Sequence, residues 1–142
     1  MSRLKKERKS TRKIKRFNWE DAPDIRARTL KLVTDLKMDT VLFERIFFFR
    51  SFGSKSRAYA RTWGLPALWQ HALDVEPAYI IEVLSHYFDK LSQKEKDRVL
   101  LHELSHIPKN FSGALIPHTR RRKGSFHSKL EELIDKYFET MK

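Results

Sequence analysis

Ser92-Gln93-Lys94-Glu95-Lys96-Asp97-Arg98-Val99-Leu100-Leu101-His102-Glu103-Leu104-Ser105-His106-Ile107-Pro108 is the stretch on which the reading of this chain turns. Ser92 and Glu95 have the Ser-x-x-Glu spacing of a capping box, in which each side chain satisfies a backbone N–H at the start of a helix. Val99, Leu100, Leu101, Leu104 and Ile107 then recur as an apolar stripe, and Pro108 stops the helix, so the pattern predicts a helix over 93–107. His102 and His106 lie four residues apart, about 40° around the helix axis and one turn along it. Two imidazoles so placed can hold one Zn²⁺. Glu103 sits beside them, where its carboxylate can accept a proton from water that the metal has made acidic; the H-E-x-x-H pattern is the signature of that chemistry.

A catalytic zinc takes three protein ligands and keeps a position open. The chain has no Cys, so the third ligand must be His, Asp or Glu. His118 follows Pro117 beyond the turn-rich segment 108–113, and it is the first choice. His127 lies just ahead of the last predicted helix and is the alternative, with Glu131 and Glu132 behind it. His71 and His86 precede the motif and read as partly buried polar residues.

Working outward, Asp21 can cap a helix whose first turn holds Pro23, and Ile25, Thr29, Val33 and Leu36 extend it over 22–36. Val41 to Ser51 reads as a strand with a turn at Phe52-Gly53-Ser54-Lys55. Ser56 to Trp63 reads as the strand returning from that turn. It has Ala58, Ala60 and Thr62 on one face and Arg57, Tyr59, Arg61 and Trp63 on the other. The second face alternates cations with rings, a pattern that suits stacking of single-stranded nucleic acid and equally an exposed strand face. Leu68 to Leu73 is a short piece, and Tyr79 to Leu84 a strand. Ser128-Lys129-Leu130-Glu131 forms a second capping box, opening a C-terminal helix over 128–141. The order of elements predicts an α+β domain in which helices pack on a small mixed sheet.

The 142 residues carry 30 Lys+Arg against 18 Asp+Glu, a net charge of +12. Residues 1–16 hold nine of the cations, among them Lys5, Lys6, Arg8, Lys9, Arg12 and Lys13, and a single acid, Glu7. Arg120, Arg121, Arg122 and Lys123 supply the remaining excess. Such a run cannot bury enough apolar surface to fold, so residues 1–18 are expected as a disordered basic arm and 19–142 as one domain. The two cationic patches are candidate contacts for DNA or RNA phosphates. Without Cys, disulfide scaffolds and thiolate chemistry are excluded. No apolar run approaches the roughly 20 residues of a membrane span, and no apolar segment follows the basic start. A soluble, cytoplasmic protein is expected, with association with the nucleoid allowed by its charge.

From Tyr79-Ile80-Ile81-Glu82-Val83 and Phe88-Asp89-Lys90-Leu91-Ser92, through His102-Glu103-Leu104-Ser105-His106-Ile107-Pro108, to Phe111-Ser112-Gly113-Ala114-Leu115-Ile116-Pro117-His118, the chain resembles the zinc metallopeptidase family of archaea and phages. Arg57 to Trp69, with Trp63-Gly64-Leu65, resembles it too. The likeness covers about residues 25–140 and omits the basic arm. General relatives of that family are the SprT-like minimal zincins, which include DNA–protein crosslink proteases. The resemblance implies a minimal zincin-like domain, one Zn²⁺ per chain held by His102 and His106, Glu103 as general base, and His118 as third ligand. His127-Ser128-Lys129 is also similar to the third-ligand region of SprT-like proteins. The activity so implied is a zinc endopeptidase acting on protein or peptide, with nucleic-acid-associated proteins as its substrates; the alternative is a basic nucleic-acid-binding module whose metal site is structural or inactive.

Overall fold

The computed structural model describes residues 17–117, 132 and 134–139. The element order is β1 (Asn18–Asp21), α1 (Pro23–Asp35), a 3₁₀ turn (Phe43–Arg45), β2 (Ile46–Phe52), β3 (Ala60–Gly64), α2 (Ala67–Leu73), β4 (Tyr79–Leu84), α3 (Ser85–Phe88) and α4 (Gln93–Leu104). Residues 132 and 134–139 are helical; the start of the predicted 128–141 helix lies outside the described residues, as do residues 1–16.

The four strands form one mixed sheet in the order β1-β2-β4-β3. β4 is its centre, parallel to β2 (Ile46↔Tyr79 to Ser51↔Leu84) and antiparallel to β3 (Ala60↔Val83 to Gly64↔Tyr79). A strand reading Tyr-Ile-Ile-Glu-Val-Leu suits that place, because both of its faces can be covered. Strand alternation sends Ile46, Phe48, Tyr79, Ile81 and Val83 to the face that α1 and α4 cover with Ile25, Leu32, Leu100, Leu101 and Leu104, all buried. Removing a side chain of that size from water contributes about 1.5–3 kcal/mol, before the entropy of ordering it is subtracted. Arg50, from the far end of β2, bonds Asp24 at the start of α1 and Asp89 just past α3.

Four expectations need correction. Asp21 does not cap α1: it closes β1, a strand the sequence pattern left unread, and Ala22 is the N-cap. The strand predicted from Val41 begins only at Ile46, because Arg45 N–H bonds back to Leu42 O and the Arg45 side chain donates to the Glu76 and Pro77 carbonyls. β2 and β3 are not a hairpin; β4 lies between them. Ser54 and Ser56 hydroxyls accept from the backbone N–H groups of Ser56 and Ala58, and these local turns keep 54–58 out of the sheet.

The last correction is the end of α4, which closes at Leu104 and not at 107. The capping box at Ser92 and Glu95 is present in both directions. At the other end, His106 N–H bonds Glu103 O and Ile107 N–H bonds Leu104 O, so the final turn tightens to i→i+3 spacing. Ser105 Oγ donates to His102 O, which helps close it.

Candidate metal centre

His102 stands in the last turn of α4 and His106 in the tightened turn beyond it. Their rings meet edge to face, 5.0 Å between centroids and 86° between planes. Donor atoms of His102, Glu103 and His106 all lie within 4.8 Å of one another, a group able to hold a metal ion.

The ring of His106 is oriented from behind. Its Nδ1 lies 2.7 Å from Ile116 O, and a carbonyl can only accept. Nδ1 therefore carries the hydrogen, and Nε2 keeps the lone pair that a metal needs. The same turn is tied a second time, Ile116 N–H donating to His106 O at 2.8 Å. Segment 111–117 can make those bonds because it is itself pinned. Gly113 N–H donates to the Tyr79 hydroxyl, which donates onward to Ala114 O, both at 2.7 Å. Gln70 of α2 donates to Leu65 O and Ser112 O. Gly113 has φ +98°, and a Cβ there would stand 2.3 Å from Leu65 O, so only glycine permits this close approach.

Glu103 is the buried member, 8% exposed. Thr62, on β3, donates its hydroxyl to Glu103 Oε1 at 2.7 Å and lies 3.1 Å from Glu103 O. Burial pushes the Glu103 carboxyl above its usual range, while the Thr62 hydrogen bond and the electrostatic influence of His106 pull it back. Clefts open on both sides. One of about 590 Å³ is lined by Thr62, Trp63, Glu103, His106 and Leu115 to Pro117. The other, of about 390 Å³, is lined by Tyr59, Ala60, Arg98, His102 and Glu103. β3, the last strand of the sheet, runs along both.

The structure thus brings together His102, Glu103 and His106. His118, His127, Glu131, the cations of residues 1–16 and Arg120 to Lys123 lie outside the described residues, and Glu132 is exposed. His71 and His86 are exposed as well, where partly buried positions were expected. Two residues of the site were not read from sequence: Thr62, which holds Glu103, and Ile116, whose carbonyl sets the His106 tautomer. Thr62 carried a weak signal, an apolar-face position flanked by Ala60; a carbonyl carries none. On the opposite face, Arg61 and Trp63 both donate to Glu82, a carboxylate 1% exposed.

No helix among the described residues is long and apolar enough to cross a membrane. A family model described as "Putative phage metallopeptidase" matches residues 17–136. No curated protein and no solved structure matches the chain.

Proposed function

The chain belongs to the putative phage metallopeptidase family, and on that premise we propose that it is a zinc-dependent endopeptidase. The carrying observation is the convergence of His102, Glu103 and His106 within 4.8 Å beside a sheet-edge strand. The donor set fits zinc: one ring is held in the tautomer that presents Nε2, and the neighbouring carboxylate is fixed by Thr62. His118 is proposed as third ligand, with His127 as the alternative. Pro117, which precedes His118 in the sequence, lines the His106 cleft.

A zinc ion held there would polarise the scissile carbonyl and lower the pKa of water. Glu103 moves the proton. With Oε1 held by Thr62, Oε2 takes the hydrogen from the attacking water and returns it to the leaving amine. An extended peptide fits along the outer edge of β3, where its backbone groups can pair while side chains alternate toward the clefts. The resemblance to SprT-like zincins, with the cations of residues 1–16 and Arg120 to Lys123 in the sequence, supports proteins bound to DNA or RNA as substrates.

Glu103→Gln tests the mechanism: the protein should keep its zinc and lose casein cleavage, and retained cleavage refutes the role given to Glu103. His118→Ala and His127→Ala, read by zinc stoichiometry, separate the two third-ligand assignments. DNA added at low salt should speed cleavage of a DNA-bound protein; an unchanged rate removes the nucleic-acid part.

A further inference from the structure

The two clefts beside Glu103 differ in what they offer a peptide. Toward His102 the wall carries Tyr59 and Arg98, the latter paired with Asp135. Toward His106 it is built from Ala60, Trp63, Leu115, Ile116 and Pro117, with Arg61 and Thr62 between them. The polar side chains of this second wall are already engaged with acids. Thr62 donates to Glu103, and Arg61 and Trp63 Nε1 donate to Glu82 on the other face of the sheet. Ile116 uses its C=O and its N–H on His106, and Pro117 has no N–H. Beside the metal group, this cleft therefore presents mostly carbon.

Its wall is also formed in advance. Leu115 and Trp63 are 44% and 51% exposed, and both stand at the cleft although neither belongs to the core. Leu115 is held from both sides: Ala114 O accepts from the Tyr79 hydroxyl at 2.7 Å, and Ile116 is bonded to His106 in both directions. A wall fixed before the ligand arrives does not have to be ordered by it, which favours binding. At about 590 Å³ the cleft falls within the ~300–1,000 Å³ of small-ligand sites and has room for one large side chain.

We propose that this cleft is a specificity pocket, taking a leucine, methionine or aromatic side chain from one of the two residues that flank the scissile bond. The inference rests on the peptidase reading and names its substrate class: extended segments with a large apolar residue at the cut, which folded proteins bury and unfolded ones expose. The occupant follows from the place. Glu103 and His106 line the same cleft, so a side chain entering it belongs to a residue at the reacting carbonyl or next to it. A charged side chain would lose water there without gaining a partner.

Cleavage of an unbiased peptide mixture by the zinc-loaded full chain, with cut sites read by mass spectrometry, should show Leu, Met, Phe and Trp enriched at one of the two flanking positions. In matched fluorogenic peptides, kcat/KM should be roughly 10–100-fold higher with Phe than with Ala at that position, and lower still with Glu. Leu115→Arg puts a cation on the wall and should lower the Phe-to-Glu ratio of kcat/KM by roughly tenfold or more. Both peptides meet the same enzyme, so the ratio does not register loss of folded protein. Leu115→Met keeps the wall apolar and should keep most of the ratio. The cut-site profile of the parent needs no variant, so it decides the matter if Leu115→Arg fails to fold. Cut sites with no apolar preference on either flank overturn the pocket and leave the peptidase intact, as does a ratio that Leu115→Arg does not change. A zinc-loaded chain that cuts no peptide overturns the peptidase reading itself, and the pocket with it.

Discussion

Thr62→Val should displace the acid limb of catalysis, and the structure sets the size of the effect. The substitution keeps the branched shape and removes the hydroxyl that donates to Glu103 Oε1 at 2.7 Å. At 8% exposure Glu103 has little water to replace that bond. A hydrogen bond to a charged group contributes about 1.5–3 kcal/mol, and about 1.4 kcal/mol corresponds to one pKa unit. Since Thr62 favours the ionised form, its loss should raise the Glu103 pKa by about one to two units. A pH profile of kcat/KM on a fluorogenic peptide should show the acid limb shifted up by about that much, the plateau above it changing far less. Thr62→Ser keeps the hydroxyl and should leave the limb in place. The metal-free protein offers an independent check with a definite sign. Burial already holds the Glu103 pKa above 4.5, so its ionisation weakens the fold as pH rises from 4.5 through the raised value. Thr62→Val enlarges that loss, and the gap in Tm between parent and variant should widen with pH across the window. An acid limb that stays where it was refutes the assignment of Glu103 as the base.

Other perturbations read other parts of the site. Gly113→Ala should cost roughly 1–3 kcal/mol from the left-handed backbone alone and more from contact with Leu65 O, lowering Tm and loosening the hold on His106. Unchanged Tm and zinc affinity would show that segment 111–117 does not set the ring. Glu82→Gln leaves Arg61 facing a neutral amide; the guanidinium is 34% exposed, so the cost should fall below the ~3–5 kcal/mol of a fully buried pair, at about 2 kcal/mol. Burial raises the Glu82 pKa, but hydrogen bonds from Arg61 and Trp63 outweigh it, and the net value is lowered. That stabilisation is present above 4.5 and is lost as pH falls through the lowered value. The urea midpoints of parent and Glu82→Gln should therefore converge in acid, and a constant gap would contradict the pairing. Stripping metal with a chelator should abolish cleavage and lower Tm, with zinc at about 100 times its Kd restoring about 2.7 kcal/mol. A Tm indifferent to zinc would mean that the ion does not bind the folded chain.

What the sequence disclosed follows from the range of the interactions involved. α4 was legible because its signals are local: Ser92 and Glu95 bond within one turn, and the Leu100, Leu101 and Leu104 stripe marks one face. His102, Glu103 and His106 were legible for the same reason. The end of α4 was not, because Ser105 and the Ile116 contact, ten residues on, tighten its last turn. The hairpin expectation failed through the serine turns at 54–58, which compete with strand pairing, and through β4, which no neighbouring residue announces as the partner of β2. Thr62 and Glu103 are 41 residues apart and Trp19 and Glu82 are 63 apart, so neither bond has a pattern to read. The cation-and-ring alternation at Arg61 and Trp63 was visible; its meaning came only with Glu82.

Under the proposed activity β3 would carry two opposite demands, and its sequence meets both. A strand that receives a peptide must keep its outer edge open, and an open edge invites pairing with another copy. Length is the first safeguard: β3 spans only five residues. Serine turns stop it on one side, and on the other Leu65 N–H bonds Ala78 O before Pro66, which has no N–H, prevents its extension. Within those five residues, alternation does the rest. Thr62 points to Glu103, while Arg61 and Trp63 point to Glu82 on the other face, so the backbone is anchored from both sides. An edge fixed in this way does not have to be ordered by the substrate, and the entropy of binding falls mainly on the peptide. On the proposed activity the two acids have different work on one strand: Glu103 would be held for proton transfer, and Glu82 would keep straight the strand on which the substrate would lie.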